Sequence, residues 1–427
     1  MIKKFLLLLF IAANLTAFAQ TSNDVINPTE VRRIESVLAS DSMRGRRAGT
    51  ADIDKAADFI ANEFKKAGLQ PIQGNSFLQH FVMLRPKMTS LKYEVNGEDA
   101  DTKNVIVVTS QPDLKVNEKS GYETERIAAG DNLFQKVQSI VRSNKNIIVF
   151  VDSSFSQNFP RLLNLKRQIF QSNTNAIFVL ANEVPREFTI KAEHTFDEVK
   201  FANVVGILPG KSKKDEYVIF SGHYDHLGIA RQAMNGDSIY NGANDDAAGT
   251  TAVIMLANYF KKQNNNERTL VFAAFTAEEV GGYGSQYFSK QFDPSQVVAM
   301  FNIEMIGTES KWGKNSAYIT GYEKTNMGEI LQSNLKGSGF AFYPDPYTTE
   351  NLFYRSDNAT LARLGVPAHT ISTSKMDSEP NYHKVTDEIS TLDMDNMAEI
   401  IKAIAISSKT IISGKDTPTR VKPESLN

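Results

Sequence analysis

The chain has 427 residues, 41% of them hydrophobic and 22% charged, and a formal charge of −2 at neutral pH. These values are those of an ordinary globular protein with a sizeable core, and the near-neutral balance argues against nucleic acid as an electrostatic partner. The chain has no cysteine, which excludes thiol catalysis, disulfides and lipid attachment through an N-terminal cysteine. Any metal must therefore be held by aspartate, glutamate and the six histidines.

The first nineteen residues have the pattern of a signal peptide. Lys3 and Lys4 precede an apolar run over 5–13, and Ala17-Phe18-Ala19 supplies the small residues read by a signal peptidase. The run is shorter than the ~20 residues that a membrane-spanning helix needs. We expect cleavage after Ala19, export to the periplasm or the medium, and no membrane span in the mature chain.

Residues 20–81 begin the predicted catalytic domain. Apolar residues at helical spacing predict two helices within 29–68, with Gly68 ending the second. The polar, glycine-bearing segment 44–50 joins them.

The pattern of apolar and polar residues changes over residues 82–200. Short apolar runs at 105–108, 147–150 and 177–180 alternate with polar segments, which predicts a β-rich inserted domain with one or two helices. We find no catalytic constellation in it, and His194 is expected to be a surface histidine.

From residue 201 to 415, continuous apolar strands alternate with helical patterns. The predicted strands are 203–208, 217–221, 269–275, 297–303 and 368–372, and the predicted helices are 250–261, 285–289, 324–336 and 393–412. This alternation predicts an α/β fold with a mostly parallel central sheet flanked by helices. Residues 416–427 are polar and are expected to form a flexible tail.

Polar side chains follow the predicted strands where ligands bind in open α/β sheets. They are His223 and Asp225, Glu278 and Glu279, Glu304, the adjacent Asp245 and Asp246 before a helix, and His383 in a later loop. Each signal is weak alone, since a lone histidine is more often structural and paired carboxylates are usually solvated. Together they form a donor set that suits two zinc ions bridged by one carboxylate.

These motifs, in this order, resemble those of the co-catalytic di-zinc aminopeptidase family, which includes secreted leucine-type aminopeptidases, glutamate carboxypeptidase II and the glutaminyl cyclases. The resemblance rests on five motifs and extends over about residues 29–80 and 201–410. The motifs are His223-x-Asp225, Gly242-Ala243-Asn244-Asp245-Asp246-x-x-Gly249, Glu278-Glu279, Asn302-x-Glu304-Met305 and Tyr382-His383.

The resemblance implies a ligand set for two Zn²⁺ ions. His223 and Glu304 would bind one zinc, Asp245 would bridge both, and Glu279 and His383 would complete the other. The family usually has aspartate at the position of Glu304, so this ligand is the weakest match.

The resemblance also implies supporting and catalytic roles. Asp225 would hold His223 in the correct tautomer, and Asp246 would follow a strained peptide that relatives can adopt in the cis form. Glu278 would be the general base that carries a proton from the attacking water to the leaving amine. Tyr382 would donate to the developing oxyanion, although a packing role for its ring is an equal alternative. No catalytic role is assigned to Ser356-Asp357, and His226 and His369 are expected to be structural or rim residues.

The expected function is that of a secreted aminopeptidase acting on peptides. Two alternatives on the same scaffold are a glutaminyl cyclase, which uses a single zinc, and a carboxypeptidase acting on acidic dipeptides. A third is a binding protein on an inactive scaffold, which predicts missing ligands, whereas every ligand has a candidate here. The insert at 82–200 lies where some relatives carry a protease-associated domain and could restrict access to the site.

Overall fold

The structure is a computed structural model that describes residues 24–234 and 236–422. The predicted signal peptide and the last five residues of the predicted tail lie outside the described residues. The chain divides into a main unit, Met1–His80 with Phe201–Asn427, and an inserted unit, Phe81–Lys200. In the ranges described, no helix is both long and apolar enough to cross a membrane.

The main unit begins with the two predicted helices. Helix α1 is Pro28–Leu38 and α2 is Ala51–Ala67, followed by the short strand β1, Gln70–Pro71. The side chain of Asn27 caps the first turn of α1, and Gly68 ends α2 in the left-handed conformation at φ 76°. The prediction of both helices is confirmed.

The inserted unit is rich in strands. Its elements are β2 (Leu78–Val95), β3 (Glu98–Asp99), β4 (Val105–Val108), β5 (Asp113–Asn117), β6 (Glu123–Ile127), α3 (Leu133–Arg142), β7 (Ile147–Val151), β8 (Ala176–Leu180) and the first part of β9 (Phe188–Leu208). Four of the strands form a sheet in the order β4-β8-β7-β6, in which only β4 is antiparallel to its neighbour. The three apolar runs predicted as strands are β4, β7 and β8, three of its four strands.

His194 is not the surface histidine that we expected. Only 4% of its surface is exposed, and neither ring nitrogen has a hydrogen-bond partner. Its ring stacks on Phe196 with 6.2 Å between centroids. Burial lowers its pKa, since an imidazolium would lose its hydration there. His194 is therefore a neutral packing residue.

The rest of the main unit forms an α/β sheet and a separate two-stranded sheet of Gly228–Met234 and Asp237–Tyr240. Its remaining strands are β10 (Lys213–His223), β11 (Gly228–Met234), β12 (Asp237–Tyr240), β13 (Arg268–Phe275), β14 (Val297–Ile303), β15 (Ser316–Ile319), β16 (Ala341–Pro344) and β17 (Ala368–Ser372). Its remaining helices are α4 (Ala248–Gln263), α5 (Tyr283–Ser289), α6 (Met327–Asn334), α7 (Asn358–Ala362), α8 (Met394–Ser407) and α9 (Lys409–Ile412). The order β16-β15-β17-β14-β10-β13-β9 is parallel except at β15·β17 and β13·β9.

Strand β10 lies at the centre of this sheet and packs on both faces. Val218 and Phe220 belong to the core shared with α1, α2, α4 and α8, whereas Ile219 between them belongs to the core shared with α5 and α7. Phe220 stacks on Phe272 and Phe301, with ring centroids 5.7 and 4.9 Å apart. Each fully buried side chain of this size contributes about 1.5–3 kcal/mol. Continuous apolar strands are the consequence of helices on both faces.

The C-terminal segment differs from the prediction in two ways. The expected helix at 393–412 is divided at Ser408 into α8 and α9. The tail expected to be flexible is packed as far as it is described, since Val421 is 2% exposed and its N–H donates to Gly365 O. Arg420 Nη1 also donates to Val297 O at 2.7 Å. The prediction of a flexible tail is therefore wrong for residues 416–422, because these polar residues have partners that the sequence pattern did not identify.

Candidate metal centre

Three neighbouring strands bring the predicted site residues to one edge of the sheet. Strands β14, β10 and β13 are parallel neighbours. His223 ends β10 and pairs with Phe275, three residues before Glu278. Ser221 pairs with Asn302, which places Glu304 level with His223. The carboxyl ends of parallel strands share an edge, so this register assembles the site.

The aspartate turn, which carries Asp245 and Asp246 and directly precedes α4, lies at the same edge of the sheet. The bond between Asp245 and Asp246 is cis. The carboxylate of Asp246 is buried and accepts N–H groups from His223 at 3.1 Å, Gly249 at 2.9 Å and Met305 at 3.0 Å. It therefore connects the ends of β10 and β14 to the beginning of α4.

Gly249 makes this approach possible. A Cβ there would lie 2.1 Å from Ile303 O and 2.3 Å from Asp246 Oδ2. Any larger residue would separate α4 from β14, so the glycine of the motif is required by packing rather than by backbone conformation.

One group of possible metal donors consists of His223, Asp245 and Glu304, whose ligand atoms lie within 4.8 Å of one another. His223 Nε2 is 3.1 Å from Asp245 Oδ1, but it has no hydrogen-bond partner. The opposite nitrogen, Nδ1, is 3.1 Å from the main-chain carbonyl of Asp225. The ring thus presents a buried nitrogen, without a hydrogen-bond partner, to two carboxylates.

A second group shares Asp245. His226, Asp245 and Glu279 also have ligand atoms within 4.8 Å of one another. The exposed side of the group is closed by His383, whose Nε2 lies 3.3 Å from Asp245 Oδ2 and 3.2 Å from Glu279 Oε2. His226 Nδ1 lies 2.8 Å from Glu279 Oε1. The two oxygens of Glu279 therefore face different histidines.

Asp225 differs from its predicted role. The nearest partner of His223 Nδ1 is the Asp225 carbonyl, and the Asp225 carboxylate is 3.8 Å from that nitrogen. The carboxylate instead accepts the N–H groups of Glu278 at 3.0 Å and Glu279 at 3.3 Å. The main chain therefore fixes the tautomer of His223, and the side chain of Asp225 fixes the Glu278–Glu279 turn.

The donor set fits zinc. Imidazole nitrogens with carboxylate oxygens are ligands that Zn²⁺ prefers, and Asp245 belongs to both donor groups. Burial raises the pKa of Asp245, but the contacts with His223 and His383 outweigh it and hold the pKa below its usual range. His223 Nε2 and Asp245 Oδ1, 3.1 Å apart, are two donor atoms that a cation bound beside them would hold together.

Glu278 is a buried carboxyl that lies among other carboxylates. Burial raises the pKa of its carboxyl well above the ordinary value, and the neighbouring carboxylates of Glu304 and Asp357 raise it further. Burial likewise raises the pKa of Glu304 to about 7. Because these carboxylates lie so close together, all of them can be ionised only when cations are bound among them.

Tyr382 lies beside the metal groups. Its ring stacks on that of His383 with 3.9 Å between centroids. It also lines a pocket with Glu304, Met305 and Arg355 among the other lining residues. Tyr382 therefore contacts both the candidate metal site and the space next to it.

Sequence reasoning missed the roles of three residues. His226, expected to be structural or at the rim, is buried in the second donor group; its position directly after Asp225 was the available signal. Ser356 donates its hydroxyl to Glu304 Oε2. Asp387 accepts the N–H groups of Asn244 at 2.9 Å and Asp245 at 3.0 Å, and no feature of the sequence indicated this.

The chain is similar in sequence to known peptidases. Residues 203–407 match Peptidase family M28. The chain is 29% identical over 220 residues to a probable leucine aminopeptidase of Trichophyton verrucosum (strain HKI 0517), in an alignment covering 50% of this chain and 58% of that protein. The chain thus spans about half the length of the curated relatives it matches.

Solved structures support the fold. The aminopeptidase from Aneurinibacillus sp. strain AM-1 is similar with a TM-score of 0.55 and 17% identity, over 92% of this chain and 95% of that one. A zinc aminopeptidase from Bacillus subtilis is similar with a TM-score of 0.54 and 16% identity, over 91% of this chain and 96% of that one. At these identities the likeness concerns the fold alone. The predicted α/β fold with a mostly parallel sheet is confirmed.

Proposed function

Because residues 203–407 match Peptidase family M28, we propose that the chain is a secreted zinc-dependent exopeptidase. Its reaction is the removal of N-terminal residues from peptides, as an aminopeptidase. The relative of Trichophyton verrucosum, described as a probable leucine aminopeptidase, supports this choice. Export is proposed from the signal-peptide pattern of residues 1–19.

One observation carries the proposal. Two groups of histidine and carboxylate donors meet at Asp245, and each has its ligand atoms within 4.8 Å. This is the arrangement expected for two zinc ions with a carboxylate bridge, as opposed to one ion with a single shell. In this proposal His223 and Glu304 hold one ion, Glu279 and His383 hold the other, and His226 orients Glu279.

Zinc bound there would lower the pKa of a water molecule and polarise the scissile carbonyl. The protein supplies the proton transfer and the positioning. Glu278 accepts the proton of the attacking water and gives it to the leaving amine, a role that its raised pKa suits. Tyr382, held by its stack on His383, donates a hydrogen bond from its hydroxyl to the carbonyl oxygen as negative charge develops there.

The proposal is tested with Glu278→Gln. We expect the variant to keep its zinc content and to lose hydrolysis of an aminoacyl-anilide panel, by about 10²–10⁴-fold, the usual contribution of a general base. Glu279→Gln is the matched control, since it changes the neighbouring residue and should lose zinc as well as activity. Full activity in Glu278→Gln would refute the mechanism.

Substrate choice separates the alternatives. An aminopeptidase hydrolyses a peptide with a free N-terminus and leaves the N-acetylated peptide intact. A glutaminyl cyclase would release ammonia from a peptide that begins with glutamine, and an acidic-dipeptide carboxypeptidase would cleave the N-acetylated dipeptide. Either of the last two results, without anilide hydrolysis, would replace the proposed reaction.

The inserted unit is proposed to favour short peptides over folded proteins by restricting access. The comparison of kcat/KM across a series of peptide lengths, with and without residues 82–200, tests this. An unchanged length preference would reject the idea.

A further inference from the structure

Arg46 is a fully buried arginine that lies outside the five motifs. It is 0% exposed and follows α1 in a segment that precedes α2. Placing a guanidinium in a protein interior costs several kcal/mol unless its donors and charge are compensated. Its surroundings therefore indicate what it does.

Four of the five N–H donors of Arg46 bind main-chain carbonyls. Nε donates to Tyr224 O at 2.8 Å, Nη1 donates to Leu38 O at 2.5 Å and to Asn241 O at 2.6 Å, and Nη2 donates to Gly242 O at 2.9 Å. Tyr224 directly follows His223, and Asn241 and Gly242 begin the turn that carries Asp245. A single side chain thus joins both turns that contribute to the first donor group.

The backbone around Arg46 also packs closely against the segments next to these two turns. His226 N–H donates to Arg46 O at 3.2 Å. Gly45 has φ 69°, and a Cβ there would lie 2.4 Å from Gly228 O and 2.6 Å from Tyr240 O. The segment can approach this closely only with glycine at position 45.

The charge of Arg46 also faces the site. Its electrostatic neighbours are the carboxylates of Glu35 on α1 and, at the site, of Asp387, Asp225 and Asp245. Asp387 accepts the N–H groups of Asn244 and Asp245. The aspartate turn is therefore held through its carbonyls by a cation and through its amides by an anion.

We propose that Arg46 is a positioning residue of the metal centre, which fixes the separation of the His223 turn and the Asp245 turn. This inference rests on the proposed function, because it concerns the same metal site. It assigns a role to the segment between α1 and α2 in metal affinity.

The test compares R46K with R268K, using the full chain. Lysine keeps the charge and loses the fork that reaches several carbonyls. Arg268 is the matched control, since it is 1% exposed and also makes four hydrogen bonds, to Glu216, Ile411, Asp416 and Thr417. It begins β13, at the opposite end of that strand from the site.

Zinc affinity is measured by competition with a chromogenic chelator, and the visible spectrum of the Co²⁺-loaded protein reports ligand geometry. We expect R46K to weaken zinc binding about 10–100-fold, the effect usual for residues that orient ligands, and to alter the Co²⁺ spectrum. R268K should lose stability and leave both readouts unchanged. Equal zinc affinity in R46K and R268K would overturn the proposal.

A second variant covers the case in which R46K does not fold. R46Q keeps an amide donor without the charge. Failure of both Arg46 variants to fold, with R268K folded, would also overturn the proposal, because Arg46 would then serve the fold. A wild-type chain that binds zinc without hydrolysing peptides would refute the proposed function and leave this test intact.

Discussion

His369 should make the chain more sensitive to acid. It lies in β17, is 1% exposed, and uses both ring nitrogens: Nδ1 donates to Thr320 O at 2.9 Å, and Nε2 accepts the hydroxyl of Thr325 at 2.8 Å. Burial lowers its pKa to about 4. The folded state therefore resists protonation of a ring that the unfolded chain protonates readily.

The magnitude follows from the two pKa values. The unfolded pKa is about 6.5, so the shift of about 2.5 units corresponds to about 3.4 kcal/mol. The folded pKa is the lower one, so this stability is complete above pH 6.5 and is lost as the pH falls from about 6.5 to about 4. About 2 kcal/mol should be gone at pH 5.

The assay is urea unfolding of the metal-free chain at pH 8 and pH 5, with chelator present so that metal loss does not contribute. At pH 8, His369→Asn should cost about 1–3 kcal/mol through the partner that it leaves unpaired. That deficit should shrink by about 2 kcal/mol at pH 5. His80→Asn, at an exposed histidine, is the control and should follow the wild type. A deficit that is the same at both pH values would refute the reasoning.

Three further predictions concern the site. Asp246→Asn should cost about 1.5–3 kcal/mol in the free energy of unfolding, because an amide cannot accept all three N–H groups that the carboxylate accepts; an unchanged urea midpoint would contradict this. Tyr382→Phe keeps the stack on His383 and should lower kcat by roughly 10²-fold with little change in KM; unchanged kinetics would leave Tyr382 a packing residue. Gly249→Ala should destabilise the chain by about 1–3 kcal/mol, because its Cβ would meet Ile303 O; a free energy of unfolding equal to that of the wild type would contradict this.

Much of the fold could be predicted because its signals are local. Runs such as Val297–Ile303 and Ala368–Ser372 are strands with the predicted bounds, since buried parallel strands need apolar residues on both faces. Strand order was not needed to infer that polar residues after these runs meet at one edge. The short strands Ser316–Ile319 and Ala341–Pro344 were missed, because neither is a continuous aliphatic run like that of Val105–Val108.

The sequence by itself determined which residues could form the metal site, because His223, Asp245, Glu279 and Glu304 follow strands or precede a helix on a shared edge. Only the tertiary structure decided which other residues hold these side chains in place. Arg46 donates hydrogen bonds to carbonyls 178 to 196 residues away along the chain. His226 Nδ1 lies 2.8 Å from Glu279 Oε1. Such contacts depend on which strands are neighbours and in what register. Local periodicity determines which helix or strand a residue belongs to and which face it occupies. The packing of distant segments determines which residues it contacts.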